Sequence, residues 1–135
     1  MKRLSGLTLL DEREGAGQVA QKGDHVVYNV RLYLNKGDEV LLNEKQAEYV
    51  PKEKIRIQDG VTLIDRTVTL GRREVMAGVE QALIGMKVGG YRKVRISPHL
   101  AYRDKGLSDL IPPHAVLGAE IWLRAVIETS TVRAQ

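Results

Sequence analysis

Cysteine and phenylalanine are both missing from this chain. Without cysteine there is no disulfide, no thiolate zinc site and no thiol nucleophile. That absence fits the cytoplasm, which is the expected compartment. Histidine is scarce: His25, His99 and His114 are the only three. None falls in the HxH or HxxxH spacing that favours a shared metal ion, so no metal is expected. His114 follows Pro112-Pro113 and reads as a hydrogen-bonded loop residue. No serine stands in a motif that would make it a nucleophile beside a histidine. Gly85, Gly89 and Gly90 have neither the spacing nor the Lys-Ser/Thr of a phosphate loop. Acidic pairs such as Asp11 with Glu14 lie in a polar stretch and read as solvated. No hydrolase, transferase or cofactor site stands out, and no cofactor is expected. No apolar run approaches the roughly 18 residues that a membrane span needs. Met1-Lys2-Arg3-Leu4 is not followed by an apolar segment, so no secretory leader is expected either.

What remains is a globular composition. The 135 residues are 43% hydrophobic and 28% charged, which suits one domain over residues 1–135 with one core. The net charge of +4 comes from 21 basic and 17 acidic residues. Much of the excess sits between positions 66 and 95, at Arg66, Arg72, Arg73, Lys87, Arg92, Lys93 and Arg95. Such a cluster can serve an anion or a nucleic acid. With a single tryptophan, no interleaved aromatics and no nucleic-acid motif, a solvated face is the better reading. Nucleic acid is therefore not an expected partner.

Along the chain, Leu7 to Leu10 reads as an edge strand and Asp11 to Gln21 as a loop. His25 to Leu34 alternates, with Val26, Tyr28, Val30, Leu32 and Leu34 on one face. Asn35-Lys36-Gly37-Asp38 is a hairpin turn, and Glu39 to Leu42 returns as a strand. Residues 43–64 are charged and least readable. A helical turn near Glu44 to Tyr49, a weak strand at Ile55 and Ile57, and a turn at Gln58-Asp59-Gly60 are expected there. Val61 to Leu70 reads as a strand broken around Asp65-Arg66. Glu74 to Ile84 has helical spacing, with Val75, Met76, Val79, Leu83 and Ile84 on one stripe. Tyr91 to Ser97 is a strand with Val94 and Ile96 inward. Leu117 to Glu128 is the last strand, with Ile121, Leu123 and Ala125 on one face and Trp122 and Val126 on the other. Residues 129–135 form a polar tail. Antiparallel strands with one short helix predict an α+β half-barrel curved around that helix.

The stretch from Glu74 through VMAGVEQALIGMKVGGYRKVRISPHLAY to LIPPHA resembles the FKBP-type peptidyl-prolyl cis-trans isomerases. The resemblance covers residues 23–128, with 43–64 as an insertion. It implies an FKBP-like fold, proline-containing peptide or protein substrates, and no cofactor. Such an isomerase needs no acid, base or nucleophile. The X-Pro barrier, roughly 18–20 kcal/mol, is an amide-resonance barrier. A dry apolar groove and a few hydrogen bonds to the twisted amide lower it.

Carried over position by position, the resemblance implies Tyr102 as the side-chain donor to the substrate carbonyl. It implies Val75 and Met76 at the helix start, the first lining the groove and the second lending its backbone N–H. Glu74 precedes them, and Leu110 and Ile111 are the loop aliphatics. Other family positions are changed. The floor tryptophan becomes Val79, a Phe-Asp pair becomes Val40 and Leu41, and the last-strand phenylalanine becomes Ala119. A further pocket phenylalanine falls near Arg66, and the early-strand tyrosine falls on Asn29 or Val30. Ring area and one carboxylate are lost. Two functions stay open: an isomerase with weak or altered activity, and a non-catalytic peptide- or protein-binding module. The insertion 43–64 is a candidate surface for a protein partner.

Overall fold

The structure is a computed structural model that describes residues 6–101, 106 and 111–127. Its frame is an open, antiparallel, six-stranded sheet. Strand β1 (Leu7–Arg13) is at one edge, followed by β7 (Tyr91–Ile96), β8 (Leu117–Ile127) and β2 (His25–Leu34). The far side of β2 pairs with two strands. Its first half takes β6 (Arg66–Thr69) and its last residues take β3 (Glu39–Val40). The helix α2 (Ala77–Leu83) lies against β7 and β8. This is the expected α+β half-barrel around one short helix.

Alternation explains the layers. Val26, Tyr28, Val30 and Leu32 of β2 are buried on the concave face, with Val94 and Ile96 of β7 and Leu117, Ala119, Ile121 and Leu123 of β8. Helix α2 adds Gly78, Val79, Ala82 and Leu83 to the same core. Each fully buried valine or leucine contributes about 1.5–3 kcal/mol by leaving water. Gly78 is required for this docking: a Cβ there would stand 2.5 Å from the Ile96 Cγ2. Only a residue without a side chain lets the helix backbone come so close to β7.

Four details depart from the sequence reading. The strand expected over Glu39 to Leu42 stops at Val40, because Leu42 already begins a short helix. Helix α2 starts later than Glu74. Glu74 instead turns its carboxylate back to accept the Thr69 N–H at 2.9 Å, and Met76 is extended at φ −53° and ψ 143°. Strand β1 runs on to Arg13, because β7 is long enough to pair with it, with Leu10 bulged out between Leu9 and Asp11. In β8 a bulge at Arg124 reverses the alternation: Leu123 pairs with Tyr28, while Ala125 pairs with Val27. Val126, expected opposite Ile121 and Leu123, therefore packs against the core, and Ala125 does not.

Residues 43–64 fold as a unit of their own beside β2. A short helix α1 (Leu42–Gln46) and two 3-10 turns lead into a hairpin of β4 (Ile55–Gln58) and β5 (Val61–Ile64). Its turn has Asp59 at φ 53° and Gly60 at φ 78°, the pair of left-handed residues that a tight hairpin favours. Asp65 is the break before β6, as expected.

Candidate functional site

Several of the expected groove residues belong to the core. Val40, Val79, Ile111 and Ala119 are buried in one apolar cluster, and Val75 and Met76 pack against it, partly exposed. Ile111 reaches the cluster from the loop before β8, some thirty positions beyond the helix. Met76 sits at the helix entrance, where its carbonyl accepts the Val79 and Glu80 N–H groups at 3.1 Å each. No described residue accepts the Met76 N–H. Tyr102 and Leu110 lie outside the described residues.

Two residues do not join the cluster. Leu41 is 51% exposed, just before α1. Glu74 is engaged with the Thr69 backbone. The question of what lies under the groove has a clear answer: Val79 is 1% exposed and Ala119 0%. Both are core residues, so the floor is closed.

A polar bridge stands beside this floor, and sequence reasoning missed it. The Asn43 side chain, 2% exposed, donates to the Val30 carbonyl at 2.8 Å. Its Oδ1 accepts from an Arg66 guanidinium nitrogen at 2.8 Å. Arg66 pairs with Tyr28 in register, two residues before Val68, so it emerges on the concave side. Asn43 thus links Val30 and Arg66, at or near positions where the resemblance expects aromatic residues. The Arg66 position was the available signal: a charge in phase with core residues needs a partner.

On the opposite face of β2, Asn29 is fully buried. Its Nδ2 donates to the Ile64 carbonyl and to Asp65 Oδ1, both at 2.8 Å. Arg124, aimed by its bulge, donates to Asn29 Oδ1 and, at 2.6 Å, to Gln58 Oε1. Arg56 adds an ion pair to Asp65 at 3.2 Å. Burial pushes the Asp65 carboxyl up, but the Asn29 hydrogen bond and the Arg56 guanidinium outweigh it and hold it below the ordinary range. Burial, then the nearby Arg56 charge, lowers Arg124. This network locks the hairpin of β4 and β5 to the sheet.

Farther along the outer face, Glu120 accepts the hydroxyls of Tyr33 and, at 2.6 Å, Tyr91. Burial first, and then the Glu120 hydrogen bond, push both phenols well above their usual range. Arg31 pairs with Glu39 through two nitrogens, at 2.9 and 2.7 Å. Among the described residues no group of three His, Cys, Asp or Glu is placed to hold a metal ion, and no helix is long and apolar enough to cross a membrane.

Comparison with known proteins agrees with this geometry. The family model for FKBP-type peptidyl-prolyl cis-trans isomerase matches residues 16–124. An FK506-binding protein of Neisseria meningitidis serogroup B is 31% identical over 127 residues, covering 93% of this chain and 100% of that one. FK506-binding protein 4 of Chaetomium thermophilum is 32% identical over 123 residues, which is 91% of this chain but 22% of that protein. The crystal structure of AtFKBP13 superposes with a TM-score of 0.70 at 28% identity, covering 91% of this chain and 94% of that one. The chain belongs to the FKBP-type peptidyl-prolyl cis-trans isomerase family.

Proposed function

We propose that the chain is a peptidyl-prolyl cis-trans isomerase that binds X-Pro segments at the mouth of the half-barrel and turns them over weakly. One observation carries this reading: Val75 and Met76 at the helix entrance are partly exposed and pack against the core to which Val40, Val79, Ile111 and Ala119 belong. A proline ring set against the partly exposed Val75 and Met76 leaves water, which removes solvent that favours the planar, dipolar amide. The Met76 N–H, without a described acceptor, is available to a substrate carbonyl. Tyr102, by family resemblance, supplies the second donor.

Weakness follows from the floor. Val79 and Ala119 are covered, so the ring rests on a shallow surface rather than in an aromatic box. Apolar contact binds planar and twisted amides alike; rate comes only from groups that prefer the twisted form. Loss of ring edges and of the acidic partner at Leu41 lowers that preference.

A second reading, a binding module without turnover, draws on the insertion. Tyr49 and Ile57 are 84% and 67% exposed, which leaves large apolar groups of this segment open to a protein partner. A protease-coupled isomerisation assay on one Leu-Pro peptide separates the two. Acceleration over buffer supports the enzyme. A wild-type rate equal to buffer leaves the binding module.

A further inference from the structure

The outer face of the sheet carries a cleft that the concave site does not use. There β8 presents Gly118 and Glu120, each set by register between a residue of β7 and one of β2. Gly118 lies between Arg95 and Tyr33; Glu120 lies between Lys93 and Arg31. Because Gly118 has no side chain, its row is open at the centre. A slot of about 380 Å³ results, lined by Tyr33 on β2, Lys93 and Arg95 on β7, and the bulged Leu10 of β1. A second cleft of about 540 Å³ shares Leu34 and Asn35 with it and runs on to Pro112, Pro113 and His114.

The slot is unevenly charged. Both Glu120 oxygens are taken by the Tyr33 and Tyr91 hydroxyls, with Arg31 3.8 Å away. Asp11, the other cross-strand neighbour of Lys93, accepts the Glu12 N–H at 2.9 Å. Among the described residues no carboxylate lies within ion-pair distance of Lys93 or Arg95. Both cations are exposed. The aromatic wall is already fixed: the Tyr33 hydroxyl is held by Glu120, and the Arg31 guanidinium lies 5.6 Å from its ring centre.

We infer that this outer cleft binds an extended acidic peptide segment of a partner protein. Its carboxylates meet Lys93 and Arg95, and one apolar side chain lies over Gly118 beside the Tyr33 ring. Charge complementarity selects acidic residues. The joined clefts suit an extended chain better than a compact ligand, and alternate side chains of such a chain can occupy successive pockets. A nucleic acid fits less well. It prefers a long basic stripe, whereas Asp38 and Glu120 line these same clefts. This site is separate from the isomerase groove, and neither proposal depends on the other.

Fluorescence polarisation at low ionic strength tests it, with a fluorescein-labelled peptide of alternating glutamate and leucine. Wild-type protein should bind the peptide and ignore its lysine-for-glutamate counterpart. The double variant Lys93→Ala/Arg95→Ala, changed only at exposed sites, should lose about two- to thirtyfold in affinity, the worth of two solvent-exposed ion pairs. Gly118→Val should lose at least about tenfold by filling the slot while leaving the charges in place. The new Cβ would sit 3.6 Å from the Tyr33 Cβ and 4.0 Å from the Val94 carbonyl oxygen, ordinary contacts in a strand. If Gly118→Val fails to fold by circular dichroism, the charge variant decides. No binding by wild type, unchanged binding by the folded variants, or equal binding of a short single-stranded DNA would overturn the inference.

Discussion

The Asn43 side chain donates to the Val30 carbonyl at 2.8 Å, tying the start of the insertion to the wall of the groove. The same amide accepts from Arg66. Asn43→Ala leaves the Val30 carbonyl and the Arg66 guanidinium to find new partners in a site that is 2% exposed. The expected loss is about 1–3 kcal/mol, the cost of leaving buried polar groups without their bond. Urea denaturation of the two proteins measures it. A loss below a few tenths of a kcal/mol would show that the bridge carries no stability.

Leu83 is fully buried at the end of α2. Leu83→Ala should cost ~2–5 kcal/mol through lost burial and a cavity. Gly78→Ala tests the opposite error. The added methyl meets Ile96, and overpacking typically costs about 1–3 kcal/mol, against a gain of about 1 kcal/mol in helix propensity. Net destabilisation is expected; a stabilised Gly78→Ala would mean that the helix does not dock as closely as described.

Asp65 links stability to acid. Its carboxyl is held below the ordinary value of 3.8 in the folded state, so the folded state binds the proton less readily than the unfolded one. Its contribution is therefore present above that value and is lost as pH falls through the lower, folded value. Asp65→Asn should lower stability at neutral pH and flatten the acid limb of the stability curve. An unchanged acid limb would assign the pH dependence to other carboxyls.

The phenols of Tyr33 and Tyr91 supply the alkaline counterpart. Both are pushed up by burial and by their bond to Glu120, so ionisation opposes folding at high pH. Their stabilisation is present below the ordinary value of 10.0 and is lost as pH rises towards the folded value. In an ultraviolet titration of tyrosinate, Tyr33 and Tyr91 should ionise late. Tyr33→Phe and Tyr91→Phe should each remove one late equivalent, and if neither does, the Glu120 bonds are not as described.

Much of this fold was legible in the sequence, for reasons visible in particular residues. Val26, Tyr28, Val30 and Leu32 alternate over a long strand, and Val79 and Leu83 are one helical turn apart. Those periods are local and survive any detail of packing. The helix start was not legible, because Glu74 is a good helix former whose carboxylate is used by Thr69 instead. The side of Val126 depended on a bulge at Arg124 that no local pattern marks. The polar network of Asn29, Asp65 and Arg124 joins positions far apart in the chain, and its bonds exist only after the hairpin has closed over β2. For the groove, family resemblance named the positions, but only the structure shows that Val79 and Ala119 are covered.

Tyr102 carries the side-chain hydrogen bond in the proposed mechanism. Tyr102→Phe keeps the ring and removes only the hydroxyl. In a shallow groove the loss in catalysed rate should correspond to about 1–2 kcal/mol, near the net worth of one hydrogen bond. Equal rates for the two proteins would remove Tyr102 from the mechanism without touching the fold.

The central claim is that this shallow groove still speeds the cis-trans exchange of an X-Pro bond. Two-dimensional exchange spectroscopy on a Leu-Pro peptide tests it without a coupling protease. Uncatalysed isomerisation takes tens to hundreds of seconds at room temperature, too slow for exchange peaks on the timescale of the experiment. With catalytic amounts of the chain, cross-peaks between the cis and trans resonances should appear and grow with protein concentration. Their absence even at equimolar protein would contradict the account and leave a binding module on an FKBP scaffold.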